Sequence, residues 1–344
     1  MQDMSYTSEL PALRSVYKDY FDIGAAVNLT TIASQKDVLT AHYNSLTAEN
    51  DMKFERVHPQ EGQYTFEAAD KIADFAAANA MKLRGHTLVW HNQTPDWIFQ
   101  NANGSPVDRE TLLARMKSHI EKVVGRYKGI IYGWDVVNEV IDDKNGVWLR
   151  ESKWLNLAGE DFIAKAFEYA HAADPKALLF YNDYNECIPE KRDKIIRIVQ
   201  SLQAKQVPIH GIGLQGHWNL NGPSLAEIRE AIERYAATGL KLQVTELDIS
   251  VFDHDDKRTD LTEPTADMLE RQAERYGQVF ELFREYKEAI TAVTFWGAAD
   301  DYTWLDNFPV RGRKNWPFVF DANHEPKASF RKITDWQEAG QIDS

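Results

Sequence analysis

The sequence contains little of what marks a disulfide-linked, secreted or membrane-spanning protein. Only one of its 344 residues is a cysteine, Cys187, so no internal disulfide can form, which agrees with a reducing compartment. No stretch approaches the roughly 18 uninterrupted apolar residues that a membrane helix needs. The first 21 residues lack a basic segment followed by an apolar one. We therefore expect no signal peptide, no membrane partner and a cytoplasmic location.

Positive charge is also scarce. The formal net charge is −14, and the lysines and arginines form no continuous stripe. Because an acidic surface repels a phosphate backbone, we expect no nucleic-acid partner. The sequence has no internal repeat, Pro/Gly/Ser-rich linker or Gly-rich phosphate loop. We predict one domain over residues 10–336 with terminal extensions at 1–9 and 337–344, and the oligomeric state stays open.

What the sequence does contain is an alternation of β-rich and helical segments. The β-rich runs are 23–27, 44–48, 82–89, 130–137, 177–182, 211–215, 241–246 and 292–296. Apolar residues between these runs recur at helical spacing, as in Leu112, Met116 and Ile120, and Ser224 with Glu227 forms a capping-box pattern. Eight strands with intervening helices predict an α/β fold, a single-domain (β/α)8 TIM barrel. A doubly wound open sheet is the alternative.

Two glutamates, Glu139 and Glu246, stand at the ends of predicted strands that should be buried on both faces. In barrel enzymes the functional residues lie at the C-terminal ends of the strands. An ion pair at the rim would explain one such glutamate, but two of them, each beside amide or imidazole groups, favour a catalytic pair. Glycoside hydrolysis needs one protonated carboxyl and one ionised carboxylate. Two neighbouring carboxylates shift each other's pKa values apart and so supply both forms.

Four motifs around these residues resemble those of glycoside hydrolase family 10, the β-1,4-xylanases. They are TAEN at 47–50, GHTLVWH at 85–91, WDVVNE at 134–139 and TELD at 245–248, followed by TFWG at 294–297. The resemblance covers roughly residues 10–336. It implies a (β/α)8 barrel that hydrolyses xylan or xylo-oligosaccharides with retention of configuration. We expect no cofactor and no metal. The expected lack of a signal peptide is similar to the intracellular branch of the family, whose members trim imported xylo-oligosaccharides.

Carried over to this sequence, the resemblance makes Glu139 the acid/base and Glu246 the nucleophile. Asn138 would hydrogen-bond the 2-hydroxyl of the sugar at the cleavage site, a contact that strengthens in an oxocarbenium-like transition state. His217, oriented by Asp248, would hold the nucleophile. The other residues implied at the site are Gln215 beside the nucleophile, Glu49, Asn50, Lys53, His86, Trp90 and Gln93 on the non-reducing side, Trp296 and Trp304 as a hydrophobic wall, and Tyr184 on the leaving-group side.

Two other functions remain open from the sequence. A different retaining β-glycosidase, acting on glucan, mannan or an aryl xyloside, would carry the same pair of glutamates. A non-catalytic sugar-binding barrel would typically lack one of the two. A metal site built from His86 and His91 is disfavoured, because both glutamates sit beside amides and aromatic residues and not in a histidine-rich cluster.

The predicted location has a direct test. We expect the enzyme in the cytoplasmic fraction of its native host, with faster hydrolysis of short soluble oligosaccharides than of polymeric xylan. Activity and immunoblotting of the medium, the envelope and the cytosol would measure the distribution, with a cytosolic marker as the lysis control. Bulk folded enzyme in the medium without that marker would contradict the prediction.

Overall fold

The structure is a computed structural model that describes residues 10–336, so the predicted terminal extensions 1–9 and 337–344 lie outside the described residues. Within this range it has nine parallel strands. They are β1 Asp22–Val27, β2 Ser45–Ala48, β3 Lys82–Val89, β4 Ile131–Asn138, β5 Leu178–Asp183, β6 Gly211–Leu214, β7 His217–Asn219, β8 Lys241–Ser250 and β9 Ile290–Phe295.

Eight of these strands close into a barrel. They are hydrogen-bonded in the order β6, β5, β4, β3, β2, β1, β9, β8, and a further pairing of β6 with β8 joins the two ends. The predicted single-domain (β/α)8 barrel is therefore confirmed, and the open-sheet alternative is wrong. The ninth strand, β7, is a three-residue segment that pairs with β8 beyond the end of β6.

The helices surround this barrel. Within residues 10–336 they are α1 Leu13–Val16, α2 Thr31–Ser34, α3 Lys36–His42, α4 Phe54–Val57, α5 Glu67–Ala78, α6 Arg109–Arg126, α7 Lys153–Ala158, α8 Phe162–Ala173, α9 Pro189–Ala204, α10 Leu225–Ala236, α11 Ala266–Glu285 and α12 Ala328–Thr334. The predicted helical stripe Leu112, Met116 and Ile120 is fully buried on α6, and the capping box of Ser224 and Glu227 begins α10. Among the described helices, none has the length and apolar character to cross a bilayer.

One predicted strand end is wrong in a way that matters for the site. Glu246 does not end its strand, because β8 continues to Ser250. The reason is that β7 pairs with this extension, with His217 opposite Asp248. The pairing of β8 with β9 also shifts register between Val244 and Leu247, an irregularity that redirects side chains. The other predicted strand ends differ from the observed ones by at most two residues.

A buried ion pair crosses the inside of the barrel. The Arg84 guanidinium on β3 donates to both carboxylate oxygens of Asp135 on β4, at 3.1 and 2.7 Å, and its Nε donates to Gln243 Oε1 on β8 at 2.6 Å. Asp135 Oδ2 also lies 2.8 Å from the ring nitrogen Nδ1 of His86. Burial alone would raise the pKa of Asp135, but Arg84 and His86 outweigh it and lower that pKa to about 2.

Arg84→Met should destabilise the fold by about 3–5 kcal/mol, because it leaves the Asp135 carboxylate buried without its guanidinium. Urea unfolding at pH 7 would measure the loss. Arg229→Met, which breaks an exposed pair with Glu285, is the control and should change stability far less. An equal loss in both variants would contradict the importance of the buried pair.

The same pair predicts a pH dependence. Since Asp135 has a lowered pKa in the folded state, its contribution is complete above its unfolded pKa of about 4 and is lost as the pH falls toward 2. Arg84→Met should flatten this acid limb of the stability curve.

Candidate active site

Four neighbouring strands bring the polar side chains together at the mouth of the barrel. Glu139 follows the last residue of β4, Asn182 lies on β5, Gln215 follows β6 and Glu246 lies on β8. Glu246 is 5% exposed, whereas Glu139 is half-buried. The structure therefore places two carboxyl groups on opposite sides of a row of amides.

The Glu139 carboxyl accepts hydrogen bonds from neutral donors. Its Oε2 accepts from Trp90 Nε1 and its Oε1 accepts from Gln215 Nε2, both at 2.8 Å. These two bonds fix the plane of the carboxyl group. Both donors are neutral, so neither contact is an ion pair.

The Glu246 carboxylate has different partners. Its Oε2 lies 2.8 Å from His217 Nε2, and its Oε1 lies 3.7 Å from His86 Nε2. Burial would raise the pKa of Glu246, but the hydrogen bond from His217, supported by the charges of His86 and Lys53, lowers that pKa below its ordinary value. Glu246 is therefore held in its ionised form.

His217 is itself placed between two carboxylates. Its Nδ1 lies 2.9 Å from Asp248 Oδ1, and Asp248 Oδ2 accepts from Trp304 Nε1 at 2.9 Å. Burial would lower the pKa of His217, but Asp248 and Glu246 together raise it well above its ordinary value. Its ring is therefore a cation that donates one N–H to each carboxylate.

A row of amides connects the two glutamates. Asn182 Nδ2 donates to Glu246 Oε1 at 3.1 Å and to Asn138 Oδ1 at 2.9 Å, while Gln215 Nε2 lies 3.4 Å from that same Asn138 oxygen. A side chain on Gly213 would meet the Asn182 oxygen at 2.3 Å, so glycine leaves the room that Asn182 occupies. Sequence reasoning assigned no role to Asn182, although its position at the end of β5, beside Asn138 on β4, was a usable signal.

Lys53 organises the residues expected on the non-reducing side. Its Nζ donates to Asn50 Oδ1 at 3.0 Å and to Gln93 Oε1 at 3.1 Å, and it lies 4.8 Å from the centre of the Trp90 ring. Burial lowers the pKa of Lys53, although the negative charges of Glu246 and other nearby glutamates act against this effect.

Glu49 lies beside this group and has hydrogen-bond partners of its own. Its Oε2 accepts from Tyr302 OH at 2.9 Å and from Asn28 Nδ2 at 3.4 Å, and burial raises its pKa. Tyr302 and Asn28 were not predicted as site residues, because no motif marks them and their proximity to Glu49 arises only in the folded chain.

The predicted aromatic residues separate into two groups. Trp296 packs edge-on against the His86 ring with centroids 5.3 Å apart, and Trp304 packs edge-on against His217 at 4.9 Å. Both tryptophans therefore lie beside the histidines that contact Glu246. Tyr184 lies in a second cluster, where its hydroxyl accepts from Arg150 Nη2 at 2.8 Å. Arg150 was missed by the sequence analysis.

A closed (β/α)8 barrel whose mouth holds an ionised glutamate, a second glutamate between neutral donors and flanking tryptophans defines a barrel glycoside hydrolase. The comparisons with known proteins narrow this class. Residues 12–336 match glycosyl hydrolase family 10, and the chain belongs to that family.

The relatives of this chain agree with the assignment. It is 61% identical to endo-1,4-beta-xylanase B of Paenibacillus barcinonensis, over 95% of this chain and 98% of that protein. It is 58% identical to an endo-1,4-beta-xylanase of Geobacillus stearothermophilus, over 95% and 99%. The crystal structure of xylanase XynB from Paenibacillus barcinonensis with a conduramine derivative superposes with a TM-score of 0.94 at 60% identity, covering 95% of this chain and 99% of that one. A mutant structure in complex with xylotriose has a TM-score of 0.92 at 50% identity, covering 94% and 99%.

His217→Asn should move the acid limb of the kcat/KM profile to higher pH. The reason is that the substitution removes the cation that lowers the pKa of Glu246, so the carboxylate forms only at higher pH. At the pH optimum we expect kcat/KM to fall roughly 10–100-fold, because the carboxylate is no longer oriented. Initial rates over a pH series, with His171→Asn on the outer helix α8 as the control, would measure both effects. An unchanged acid limb would contradict this role of His217.

Proposed function

We propose that this protein is a retaining endo-1,4-β-xylanase that cleaves xylan or xylo-oligosaccharides through a glycosyl-enzyme intermediate. Family membership and the xylanase relatives support the substrate and the reaction. The assignment of nucleophile and acid/base rests on the different hydrogen-bond partners of the two carboxyl groups. Glu246 bonds to a histidine cation, which suits a nucleophile that stays ionised, whereas Glu139 bonds to the neutral donors Trp90 and Gln215.

In the first step the protonated Glu139 carboxyl donates its proton to the glycosidic oxygen, and Glu246 attacks the anomeric carbon. The bond to the leaving group breaks as the ester to Glu246 forms, and the leaving sugar departs with the proton from Glu139. Asn138, fixed through its oxygen by Asn182, is the proposed partner of the 2-hydroxyl in the transition state.

In the second step a water molecule attacks the same carbon. Glu246 is now esterified and carries no charge, so Glu139 stays ionised and removes the proton of the water. The ester bond breaks, Glu246 leaves as a carboxylate, and two inversions give the β-anomer. His217 and Asn182 receive that carboxylate in the contacts it had before the reaction.

The tryptophan wall favours xylose over a hexose. A xylose unit lacks the C6 hydroxymethyl group. Trp296 and Trp304 pack against the histidines that contact Glu246, so we expect them to crowd that group on a hexose. Comparing kcat/KM on xylo-, cello- and manno-oligosaccharides of equal length tests this against the other retaining glycosidases. The presence of both carboxyl groups disfavours a non-catalytic sugar-binding barrel. The cytoplasmic location and the absence of nucleic-acid partners remain predictions.

Glu139→Ala should lower kcat/KM on xylo-oligosaccharides by about 10²–10⁴-fold, the usual contribution of general acid catalysis. The loss in kcat/KM on a dinitrophenyl xylobioside should be small, because that leaving group needs no proton. Added azide should raise kcat on this substrate and yield a β-glycosyl azide, since it attacks the intermediate without a general base. Glu274→Ala on the exposed face of α11 is the control. Equal losses on both substrates without an azide effect would contradict the acid/base assignment.

A further inference from the structure

The backbone of Glu139 has an unusual conformation. Its φ is +58°, a left-handed value that costs a residue with a side chain about 1–3 kcal/mol and persists only when neighbouring contacts fix it. The Glu139 N–H donates to the Asn182 carbonyl at 2.9 Å, and the next N–H, of Val140, donates to Tyr181 OH at 3.2 Å. Neither of these two bonds involves the carbonyl oxygen of Glu139.

Arg150 contacts that carbonyl oxygen. Its Nε donates to the carbonyl oxygen of Glu139 at 3.0 Å, while its own N–H donates to the Val140 carbonyl at 2.8 Å. The segment after β4 returns to the site through the antiparallel bridge between Ile141 and Leu149, and this turn delivers Arg150. Arg150 and Glu139 line the same small cavity together with Trp90.

Arg150 is held in turn by neighbouring charged and polar residues. Together with Arg150 we call them the Arg150 cluster: Asp143, Arg150, Asp183, Tyr184 and Lys191. The Arg150 Nη2 donates to Tyr184 OH at 2.8 Å, and that hydroxyl donates to Asp143. Lys191 Nζ lies 2.6 Å from Asp143 and 3.1 Å from Asp183, and its side chain is only 1% exposed. The guanidinium therefore has a fixed direction.

We propose that Arg150 is a positioning residue for the acid/base. It fixes the main-chain carbonyl of Glu139, so that the carboxyl group keeps its plane between Trp90 and Gln215 and points at the glycosidic oxygen. Tyr184 then acts through Arg150 and not only as a wall of the leaving-group side. This inference rests on the proposed role of Glu139 as acid/base.

A positioning role for the acid predicts a dependence on the leaving group. Arg150→Met should lower kcat/KM by roughly 10–100-fold on aryl xylobiosides whose leaving groups need protonation, since a displacement of about 1 Å can cost that much. On a dinitrophenyl xylobioside the loss should stay below about threefold, because no proton is needed. The plot of log kcat/KM against leaving-group pKa should therefore be steeper than for the native enzyme. Arg150→Lys should fall in between, since one ammonium cannot reproduce the guanidinium fork.

Arg115→Met is the matched control. The Arg115 side chain is 17% exposed, against 21% for Arg150, and it also donates to main-chain carbonyls, of Trp97 at 2.6 Å and Gln100 at 2.8 Å. Arg115 lies on α6, and the segment 97–100 that it holds carries neither catalytic carboxyl, so the slope for Arg115→Met should equal that of the native enzyme. Tyr184→Phe removes the hydroxyl that holds Arg150 and should show a smaller loss with the same steepened slope. Should Arg150→Met fail to fold, Tyr184→Phe decides the question.

An unchanged slope in Arg150→Met and Tyr184→Phe, with a uniform loss or only a raised KM, would overturn the inference and leave Arg150 as a binding or structural residue. Measuring the same slope in Glu139→Ala distinguishes a failure of this inference from a failure of the proposed function. A steep slope in Glu139→Ala with a native slope in Arg150→Met overturns only the positioning role, whereas a native slope in Glu139→Ala overturns the acid/base assignment itself. In the Glu139→Ala background, Arg150→Met should change kcat/KM by no more than about twofold on any substrate, because no acid remains to be positioned.

Discussion

The hydrogen bond between His217 and Glu246 is the interaction on which the rest of the site depends. A carboxylate buried at this depth would ordinarily favour its protonated form, and a buried histidine its neutral form. Placed 2.8 Å apart, with Asp248 on the far side of the ring, each instead stabilises the charge of the other. Glu246, the proposed nucleophile, is thus ionised before a substrate arrives, and the binding of substrate does not have to supply that charge.

Below the site, further contacts between charged and polar side chains extend into the inside of the barrel. His86 contacts both Glu246 and Asp135, and Asp135 forms the buried pair with Arg84. Carboxylates and nitrogen-bearing side chains therefore alternate from the barrel interior to Glu246, so that each buried anion has a cation or a donor beside it. On the other side of the mouth, Glu139 depends on neutral donors and on its main chain, where Arg150 is the proposed support. The two glutamates thus have different hydrogen-bond partners, a histidine cation for Glu246 and neutral donors for Glu139, and this difference underlies the different roles proposed for them.

Much of this arrangement was predictable from the sequence, because barrel strands place their ends at one mouth and the motifs lie at those ends. The exceptions have physical reasons. Arg150 contacts Glu139 only after the chain turns back through the bridge between Ile141 and Leu149, and nothing in its local sequence marks that contact. Asn182 was marked only by its place at the end of β5, which does not reveal its bonds to Asn138 and Glu246. Tyr302 reaches Glu49 across 253 residues of chain. The true extent of β8 depends on its pairing with β7, a three-residue strand too short to show a pattern.

The most direct test of the account is to identify the residue that becomes esterified. In a 2-fluoro xylobioside the fluorine slows both steps, while an activated leaving group restores the rate of the first. The glycosyl-enzyme therefore accumulates and can be digested for mass spectrometry. The account predicts a single label, on the peptide that contains Glu246, and no such label in Glu246→Ala. A label on Glu139, or hydrolysis with no covalent species and release of the α-anomer, would contradict a nucleophile held ionised by His217.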